Sequence, residues 1–334
     1  MTANTFRCFY VEDIAGQVSH SITERPITEL PTGDVTMLVE YSSLNYKDAL
    51  AATAHPGVVR KLPHVPGIDA AGAVVESSDP RYKPGDKVLA TSYEIGAERW
   101  GGWSELLRVP ADWVLPLPGG MTTLEAMTLG TAGLTAALSV AALAEHGVLP
   151  ERGEVVVTGA TGGVGSLAVM LLARLGYRVV AVTGKAELEP QLKQWGATRI
   201  VPRDELLTPA DKPLLSVKYA GGIDTVGGLM LATLLRRTDH YGCVAACGLV
   251  GGTDLPISVH PFILRGITLA GISTAWTPRA RREEMWRRLA GPWKLDIPCE
   301  AVKVVPLSAV ATEVDRILAG QVTGRVVVDS PAVG

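Results

Sequence analysis

EVVVTGATGGVGSLAVMLLARLGYRVVAVTGK, residues 154–185, is the segment that decides the fold of this 334-residue chain. A β-branched run is followed by a glycine turn, a helix of small and apolar residues, and a second apolar run at 179–182. With Ala160 in its first position the turn reads A-x-G-x-x-G between a strand and a helix, which is the context that a dinucleotide fingerprint requires. A plain tight turn is the alternative, but the flanking elements favour a nucleotide site. The predicted pyrophosphate contacts are Gly162, Gly163, Val164 and Gly165.

The composition limits the class of protein. The length suggests two domains, and 47% hydrophobic residues can form large cores. The net charge of −3 gives no field for binding nucleic acid. The polar N-terminus is not a signal peptide, and no apolar run is expected to reach the roughly 20 residues of a membrane span. Four cysteines without a disulfide-like spacing favour a reducing compartment. These features predict a cytoplasmic protein with no nucleic-acid or membrane partner.

The chain changes character near Thr122, where Thr122-Thr-Leu-Glu125 fits a helix N-cap with a capping box. Residues 1–125 contain short strands and frequent turns, which indicate a β-barrel-like domain. From Glu154 the pattern alternates strands and helices, which predicts an α/β doubly wound parallel sheet. The six candidate strands lie at 154–158, 178–182, 199–201, 223–226, 242–246 and 268–272.

The C-terminal tail is predicted to return to the first domain as a strand (301–305), a helix (308–319) and a last strand (325–329). The predicted division is therefore 1–125 with 275–334 for the β-rich domain and 126–274 for the nucleotide domain. Before the tail, RARREEMWRRL at 279–289 is interpreted as a solvated helix with internal Glu–Arg pairs rather than a nucleic-acid site.

The end of the second nucleotide-domain strand bears on the choice of cofactor. NAD-preferring sites usually place Asp or Glu there, whereas this chain has Thr183-Gly184-Lys185. A hydroxyl and an ammonium can both donate to a 2′-phosphate. The segment therefore favours NADP(H) over NAD(H), and Arg203, after the third strand, could approach the same phosphate. An ordinary solvated Lys185 is the alternative.

A second group of polar residues follows a strand in the first domain. Ser42-Ser-Leu-Asn-Tyr-Lys-Asp-Ala49 places an amide, a phenol, an amine and a carboxylate within four residues. A helix cap would explain Asn45 and Asp48 about as well as a catalytic role.

The domain order and eight short motifs resemble the medium-chain dehydrogenase/reductase superfamily over essentially the whole chain. Within it, they are most similar to the zinc-free acrylyl-CoA reductase group, also catalogued as quinone oxidoreductases. The motifs are Ser43-Leu-Asn-Tyr-Lys-Asp48, Pro66-Gly-Ile-Asp69, Trp100-Gly-Gly102, Gly130-Thr-Ala-Gly133, Gly159-Ala-Thr-Gly-Gly-Val-Gly165, Ile223-Asp-Thr-Val-Gly227, Cys247-Gly-Leu249 and Pro261-Phe-Ile-Leu-Arg265. The resemblance implies a GroES-like catalytic domain plus a Rossmann NADP(H)-binding domain.

The resemblance also bears on zinc. Zinc-dependent relatives supply three ligands at positions where this chain has Asn45, Gly67-Ile68-Asp69 and Thr131. Catalytic zinc needs three protein ligands and an open position. The six histidines form no pair at ligand spacing. The sequence therefore predicts no metal.

The activity implied is NADPH-dependent reduction of a short 2-enoyl-CoA, acrylyl-CoA to propanoyl-CoA. Hydride goes to the β-carbon, the charge spreads onto the carbonyl oxygen, and a proton is delivered to the α-carbon. Tyr46 is the first candidate at the nicotinamide end, either as proton donor or as a support for the ring. Asn45 and Asp48 are second candidates, with a role in organising the loop as the simpler interpretation.

The family pattern adds further cofactor residues. It places Arg203 beside Thr183, Gly184 and Lys185, and it adds Leu249, Ile263 and Thr274. Plain core packing is the alternative for Leu249 and Ile263. The charged loop 92–99 departs from the family pattern, so the resemblance does not specify the acyl group of the substrate. The apolar strand 268–272 would expose a sheet edge, which predicts a homodimer.

Two other functions stay open at this point. One is an NADPH:quinone or enone oxidoreductase with the same cofactor chemistry, and the other is a non-catalytic NADPH-binding sensor.

Overall fold

The computed structural model describes residues 4–207 and 212–330, which fold into two compact units. Unit 1 comprises Met1–Thr131, Thr274–Ala290 and Pro298–Gly334, and unit 2 comprises Ala132–Ser273 and Gly291–Ile297. Unit 1 is therefore assembled from three separate stretches of the chain.

The described strands, in chain order, are β1 (Thr5–Ile14), β2 (Gln17–Pro26), β3 (Val35–Leu44), β4 (Asp69–Ser77), β5 (Lys87–Thr91), β6 (Leu106–Val109), β7 (Val114–Pro116), β8 (Glu154–Thr158), β9 (Arg178–Thr183), β10 (Ala197–Pro202), β11 (Tyr219–Asp224), β12 (Thr238–Ala246), β13 (Thr268–Gly271), β14 (Val302–Pro306) and β15 (Arg325–Asp329). The described helices are α1 (Tyr46–Ala52), α2 (Thr123–Glu145), α3 (Gly163–Arg174), α4 (Glu189–Gln194), α5 (Asp204–Leu207), α6 (Gly228–Arg237), α7 (His260–Arg265), α8 (Arg279–Ala290) and α9 (Val310–Leu318).

Unit 1 is β-rich, as its many short strands and turns predict. Its main sheet has the order β14-β15-β3-β4-β5-β7, with β6 also paired to β3, and β1 and β2 form a separate antiparallel hairpin. The C-terminal strand β15 pairs with both β14 and β3. Alternate residues of the sheet, such as Val35, Met37 and Val39, enter a buried core. The predicted return of the tail to the first domain is confirmed.

Unit 2 contains the predicted doubly wound sheet. The order of its strands is β10-β9-β8-β11-β12-β13, and all the pairs are parallel. β-branched side chains such as Val156, Val180 and Val244 are completely buried, as expected for strands covered on both faces. The six strands match the sequence prediction, although β11 and β12 begin earlier than expected. Because β8 starts in the middle of the sheet and neighbours both β9 and β11, its carboxyl end lies at the point where the strand order reverses.

Helix α2 begins with the capping box that the sequence predicts. The Thr122 main-chain N–H donates to Glu125 Oε2 (2.7 Å), and the Glu125 N–H donates to Thr122 Oγ1 (3.1 Å). The helix is long and apolar enough by composition to cross a membrane, but almost all of its most apolar part is buried inside the protein. The expectation that no apolar segment is long enough to span a membrane was wrong. Threonines and glycines interrupt the apolar residues of this helix, so its mean hydropathy is not evident from the sequence.

Helix α8 is only partly solvated, in contrast to the prediction from its basic sequence. The expected intrahelical ion pairs are present, for example between Arg279 and Glu283 at 2.8 Å and between Arg281 and Glu284 at 2.8 Å. The Arg282 side chain, however, is buried with only 1% of its surface exposed. One face of the helix therefore belongs to the core of unit 1.

Candidate active site

The segment that follows β3 in unit 1 forms a capped helix start. Asn45 is the N-cap of α1 in an extended conformation, and its main-chain N–H donates to Asp48 Oδ2 (2.7 Å). The Asn45 side-chain amide donates to the same oxygen at 3.0 Å. The other oxygen, Asp48 Oδ1, accepts from the Ile68 N–H (2.7 Å). Asp48 therefore fixes both the start of α1 and the segment before β4, which agrees with an organising role.

Asp48 is completely buried. Burial, followed by the nearby charge of Asp69, raises the pKa of its carboxyl from 3.8 to about 7, although the hydrogen bonds from Asn45 and Ile68 oppose the shift. A carboxyl with this pKa changes its charge near neutral pH.

Asp69, the first residue of β4, is the centre of a second buried cluster. Its Oδ2 accepts from Ser43 Oγ (2.5 Å) and from Asn45 Nδ2 (2.9 Å). Its Oδ1 accepts from Thr131 Oγ1 (2.5 Å), and the Thr131 N–H lies 3.0 Å from both oxygens. Both oxygens of this buried carboxyl group therefore accept hydrogen bonds from neighbouring donors.

Gly130 makes this arrangement possible. It interrupts the helical geometry of α2 with φ 51°, and a Cβ at this position would lie 2.5 Å from Asp69 Oδ2. Only glycine combines a left-handed conformation with so close an approach. The kink presents the Thr131 N–H to the carboxylate.

Arg325, the first residue of β15, joins the same cluster. Its side chain is buried, Nε donates to the Thr128 carbonyl (2.8 Å), and Nη1 lies 3.3 Å from Asn45 Oδ1. Burial lowers the pKa of Arg325, and the charges of Asp69 and Asp48 act against that shift. Sequence reasoning missed this residue, because a single arginine at the start of a predicted strand carries no functional signal. Asp69 was noticed only as the replacement for a zinc ligand.

The residues at the expected zinc position do not fit that metal. Asn45, Asp69 and Thr131 are hydrogen-bonded to one another or to neighbours, and the amide and hydroxyl are poor zinc ligands. Across residues 4–207 and 212–330, no three His, Cys, Asp or Glu side chains are grouped so that they could hold a metal.

Tyr46 is the first residue of α1 and directly follows the cap. Its side chain is 39% exposed, in contrast to the buried Asp48 and Asp69. The cap formed by Asn45 and Asp48 therefore sets the position of a tyrosine that solvent or a ligand can reach.

The glycine turn in unit 2 has the close contacts that a dinucleotide fingerprint needs. Gly162 is the N-cap of α3, which begins at Gly163. A Cβ on Gly165 would lie 2.1 Å from the carbonyl oxygen of Gly159. The first main-chain N–H groups of a helix lack partners within the helix and face an incoming anion. The turn, with Val164 between its last two glycines, therefore leads directly into the N-terminus of α3.

The predicted phosphate-binding residues lie together at the end of β9. Thr183 Oγ1 accepts from the Lys185 N–H (3.0 Å), and the Thr183 carbonyl accepts from the Arg203 N–H (3.0 Å). The Arg203 side chain, 63% exposed, lies directly against Gly184. The Ala160 N–H donates to the Val182 carbonyl (3.1 Å), which links the glycine turn to this strand. Unit 2 therefore brings these two groups of predicted residues to one edge of its sheet.

The remaining predicted cofactor residues lie elsewhere. Leu249 follows β12 and is 61% exposed, and Ile263 on α7 is 70% exposed. The alternative that these two side chains pack in the core is wrong. Thr274 belongs to unit 1, is buried, and its carbonyl accepts a hydrogen bond from Arg282.

Two family profiles match the chain. The profile described as "Alcohol dehydrogenase GroES-like domain" matches residues 31–119, and the profile described as "Zinc-binding dehydrogenase" matches residues 163–291. The second match includes none of the three positions expected to ligate zinc.

Three relatives resemble the chain over nearly its full length. Acrylyl-CoA reductase AcuI of Ruegeria pomeroyi is 48% identical, covering 95% of this chain and 96% of the relative. YhfP of Bacillus subtilis, provisionally named a quinone oxidoreductase, is 44% identical, covering 97% of this chain and 98% of the relative. Its crystal structure with NAD bound has a TM-score of 0.95, covering 98% and 100% of the two chains. The yhdH oxidoreductase of Salmonella enterica, crystallised with NADP, has a TM-score of 0.95 and 45% identity, covering 97% and 100%.

Proposed function

This chain belongs to the medium-chain dehydrogenase/reductase family, and we propose that it reduces the C=C bond of short 2-enoyl-CoA thioesters with NADPH. The proposed main reaction converts acrylyl-CoA to propanoyl-CoA. The observation that carries the proposal is the 48% identity to the acrylyl-CoA reductase of Ruegeria pomeroyi over 95% of this chain. The two known domains of the family, a GroES-like and a Rossmann domain, correspond to the β-rich unit 1 and the parallel sheet of unit 2.

The residues of unit 2 fit NADP(H). The turn Gly162–Gly165 and the start of α3 offer main-chain N–H groups to the pyrophosphate. Thr183, Lys185 and Arg203 supply a hydroxyl and two cations for the 2′-phosphate, with Gly184 leaving space for Arg203. When bound, NADPH supplies the hydride for the β-carbon of the substrate. We also assign Leu249, Ile263 and Thr274 to the cofactor.

In unit 1, Tyr46 is the proposed polar group at the reacting end. Its phenol either donates the proton to the α-carbon or holds the nicotinamide ring. Asn45 and Asp48 fix the start of α1 and so orient Tyr46. No step is assigned to zinc, because the donor set around Asp69 does not fit it.

The first alternative is quinone or enone reduction, favoured by the provisional name of the Bacillus subtilis relative. The second is a non-catalytic NADPH-binding sensor. The test is parallel assays of NADPH consumption with acrylyl-CoA, crotonyl-CoA and a benzoquinone, together with elemental analysis of the purified protein. Preferred turnover of acrylyl-CoA supports the proposal, and preferred turnover of the quinone contradicts it. Tight NADPH binding without turnover of any acceptor would favour the sensor. Stoichiometric zinc would overturn the zinc-free assignment.

We further propose a cytoplasmic homodimer. Strand β13 forms the edge of its sheet and is only partly buried, and the exposed apolar side chains of Tyr241 and Leu264 belong to the same unit. Pairing of two such edges would cover them. Light scattering of the wild type and of Leu264→Asp tests this, since a monomeric wild type contradicts the proposal.

A further inference from the structure

The guanidinium of Arg282 is buried in unit 1 and bonded to main-chain carbonyls. Nε donates to the Thr277 carbonyl (3.1 Å), and Nη1 donates to the Thr91 carbonyl (2.9 Å) and lies 3.3 Å from Thr91 Oγ1. Nη2 donates to the carbonyls of Ala275 (3.0 Å) and Thr274. In the described part of the chain, no carboxylate lies within ion-pair distance of it. Burial lowers the pKa of Arg282.

A buried cation without a carboxylate partner is costly, and an apolar side chain could fill the same space at lower cost. What arginine adds is a planar fork of N–H donors with fixed directions. This fork joins the end of β5 to the segment 274–277, two parts of unit 1 that are far apart in the sequence. Its geometry therefore sets how these two segments lie with respect to each other.

The first of these segments is strained. Ser92 and Tyr93, directly after β5, have φ values of 62° and 51°, in the left-handed region that non-glycine residues rarely adopt. The Arg282 guanidinium covers the Tyr93 ring with its Cζ 3.9 Å from the ring centroid. The Tyr93 ring also stacks on Trp113, with centroids 5.1 Å apart and planes inclined by 6°. Arg282 thus holds the turn both by a hydrogen bond and by a cation–π contact.

The strained turn contacts the buried Asp69 cluster. Ser92 Oγ lies 2.6 Å from Thr131 Oγ1, and Thr131 in turn donates to Asp69. The second segment begins with Thr274, a proposed cofactor residue. Arg282 is therefore bonded to one segment that contacts the polar cluster and to another that carries a cofactor contact.

We propose that Arg282 is a positioning residue that fixes Thr274 for cofactor binding and the Ser92–Tyr93 turn for the polar cluster. It acts through main-chain carbonyls and the Tyr93 ring and does not itself contact the cofactor. The inference rests on the proposed function in one respect, the assignment of Thr274 to the cofactor.

The test is the dissociation constant of NADPH, measured by fluorescence titration without any acceptor. Arg282→Met is expected to weaken NADPH binding about tenfold, and Arg282→Lys, which keeps the charge but not the fork, by several-fold. Arg287→Met is the matched control, because Arg287 is an exposed arginine of the same helix. Thermal unfolding shows whether each variant is folded. A lower melting temperature with an unchanged dissociation constant would mean a purely structural role and would overturn the proposal.

Two further variants keep the proposal testable if Arg282→Met fails to fold. Tyr93→Leu removes the stacking but leaves the hydrogen bonds, so a smaller loss of affinity in the same direction is expected. In a Thr274→Ala background, Arg282→Lys should weaken binding less than it does in the wild type, since both changes act on the same contact. Fully additive losses would contradict the route through Thr274. A wild type that binds NADPH but does not reduce acrylyl-CoA would contradict the proposed substrate and leave the role of Arg282 standing.

Discussion

Arg203 lies across Gly184 so closely that a Cβ on the glycine would fall 2.9 Å from Cδ, 3.0 Å from Nε and 3.1 Å from Cζ of the arginine. Because Gly184 has no side chain, the Arg203 guanidinium can approach the end of β9. Because Arg203 and Lys185 are the proposed partners of the 2′-phosphate, this packing should bear on the choice between NADPH and NADH.

Gly184→Ala is expected to lower kcat/KM for NADPH about tenfold and to leave kcat/KM for NADH nearly unchanged. The added methyl group meets the Arg203 side chain and should displace it from the proposed phosphate position, whereas NADH has no 2′-phosphate for Arg203 to bind. Lys185→Ala should reduce the preference in the same direction. Equal effects of Gly184→Ala on both cofactors would contradict this explanation.

Gly165→Ala should damage the nucleotide site by a different route. Its Cβ would meet the carbonyl oxygen of Gly159 at 2.1 Å, and the main chain cannot move away as a flexible side chain would. We expect a loss of about 1–3 kcal/mol in the free energy of unfolding and a large loss of NADPH affinity. Urea denaturation and fluorescence titration measure the two effects. Gly119→Ala, at an exposed glycine with open space around it, is the control. A fully stable, NADPH-binding Gly165→Ala protein would refute the prediction.

Tyr46→Phe removes one hydroxyl at the start of α1 and keeps the ring. If the phenol supplies the proton, kcat for acrylyl-CoA should fall about 100-fold with little change in KM. If it only holds the nicotinamide ring, NADPH affinity should fall instead. Steady-state kinetics distinguish the two roles. Tyr241→Phe, at a tyrosine that is 74% exposed, controls for the substitution itself. Wild-type kcat and KM would remove Tyr46 from the mechanism.

Asp48 should make stability depend on pH. Its pKa is about 7 in the folded protein, whereas the ordinary value is 3.8. Between these values the folded protein holds a proton that the unfolded chain has released. The contribution of this carboxyl to the free energy of unfolding therefore decreases as pH rises from about 4 to about 7, by at most about 1.4 kcal/mol per pH unit.

Urea denaturation of the wild type and of Asp48→Asn between pH 4 and pH 8, a range of about 4 units that includes this window, measures the effect. The free energy of unfolding of the wild type, minus that of Asp48→Asn, should decrease as pH rises to about 7. Above that pH the difference should be constant. Asp315→Asn, which changes an exposed carboxyl on α9, is the control. A difference that does not vary with pH would contradict the raised pKa.

Local patterns in the sequence were sufficient to predict the sheet of unit 2. Its strands are β-branched runs, and the glycine turn after β8 lies where the strand order reverses, so periodicity and turn chemistry agree there. The capping box at Thr122 and Glu125 was predictable for the same reason. The proposed phosphate-binding residues Thr183, Gly184 and Lys185 could also be selected from the sequence, because they are consecutive.

Contacts between distant parts of the chain could not be predicted in this way. Arg325 meets Asn45 across 280 residues, and nothing near either residue indicates the other. Arg282 has the sequence environment of a solvated helix, and its burial depends on four carbonyls that only the tertiary fold brings together. The hydrophobicity of Leu249 and Ile263 suggested a core position, but both side chains are largely exposed.

The pairing of β15 with β3 has a consequence for synthesis on the ribosome. The 280 residues between Asn45 and Arg325 correspond to roughly half a minute of translation at about 10 residues per second. During that time β3 can pair with β4 and β6, but the edge that later receives β15 stays open. The parallel sheet of unit 2 emerges complete in the meantime. Nascent chains of this protein should therefore depend on chaperones that cover open sheet edges until the final strand is made.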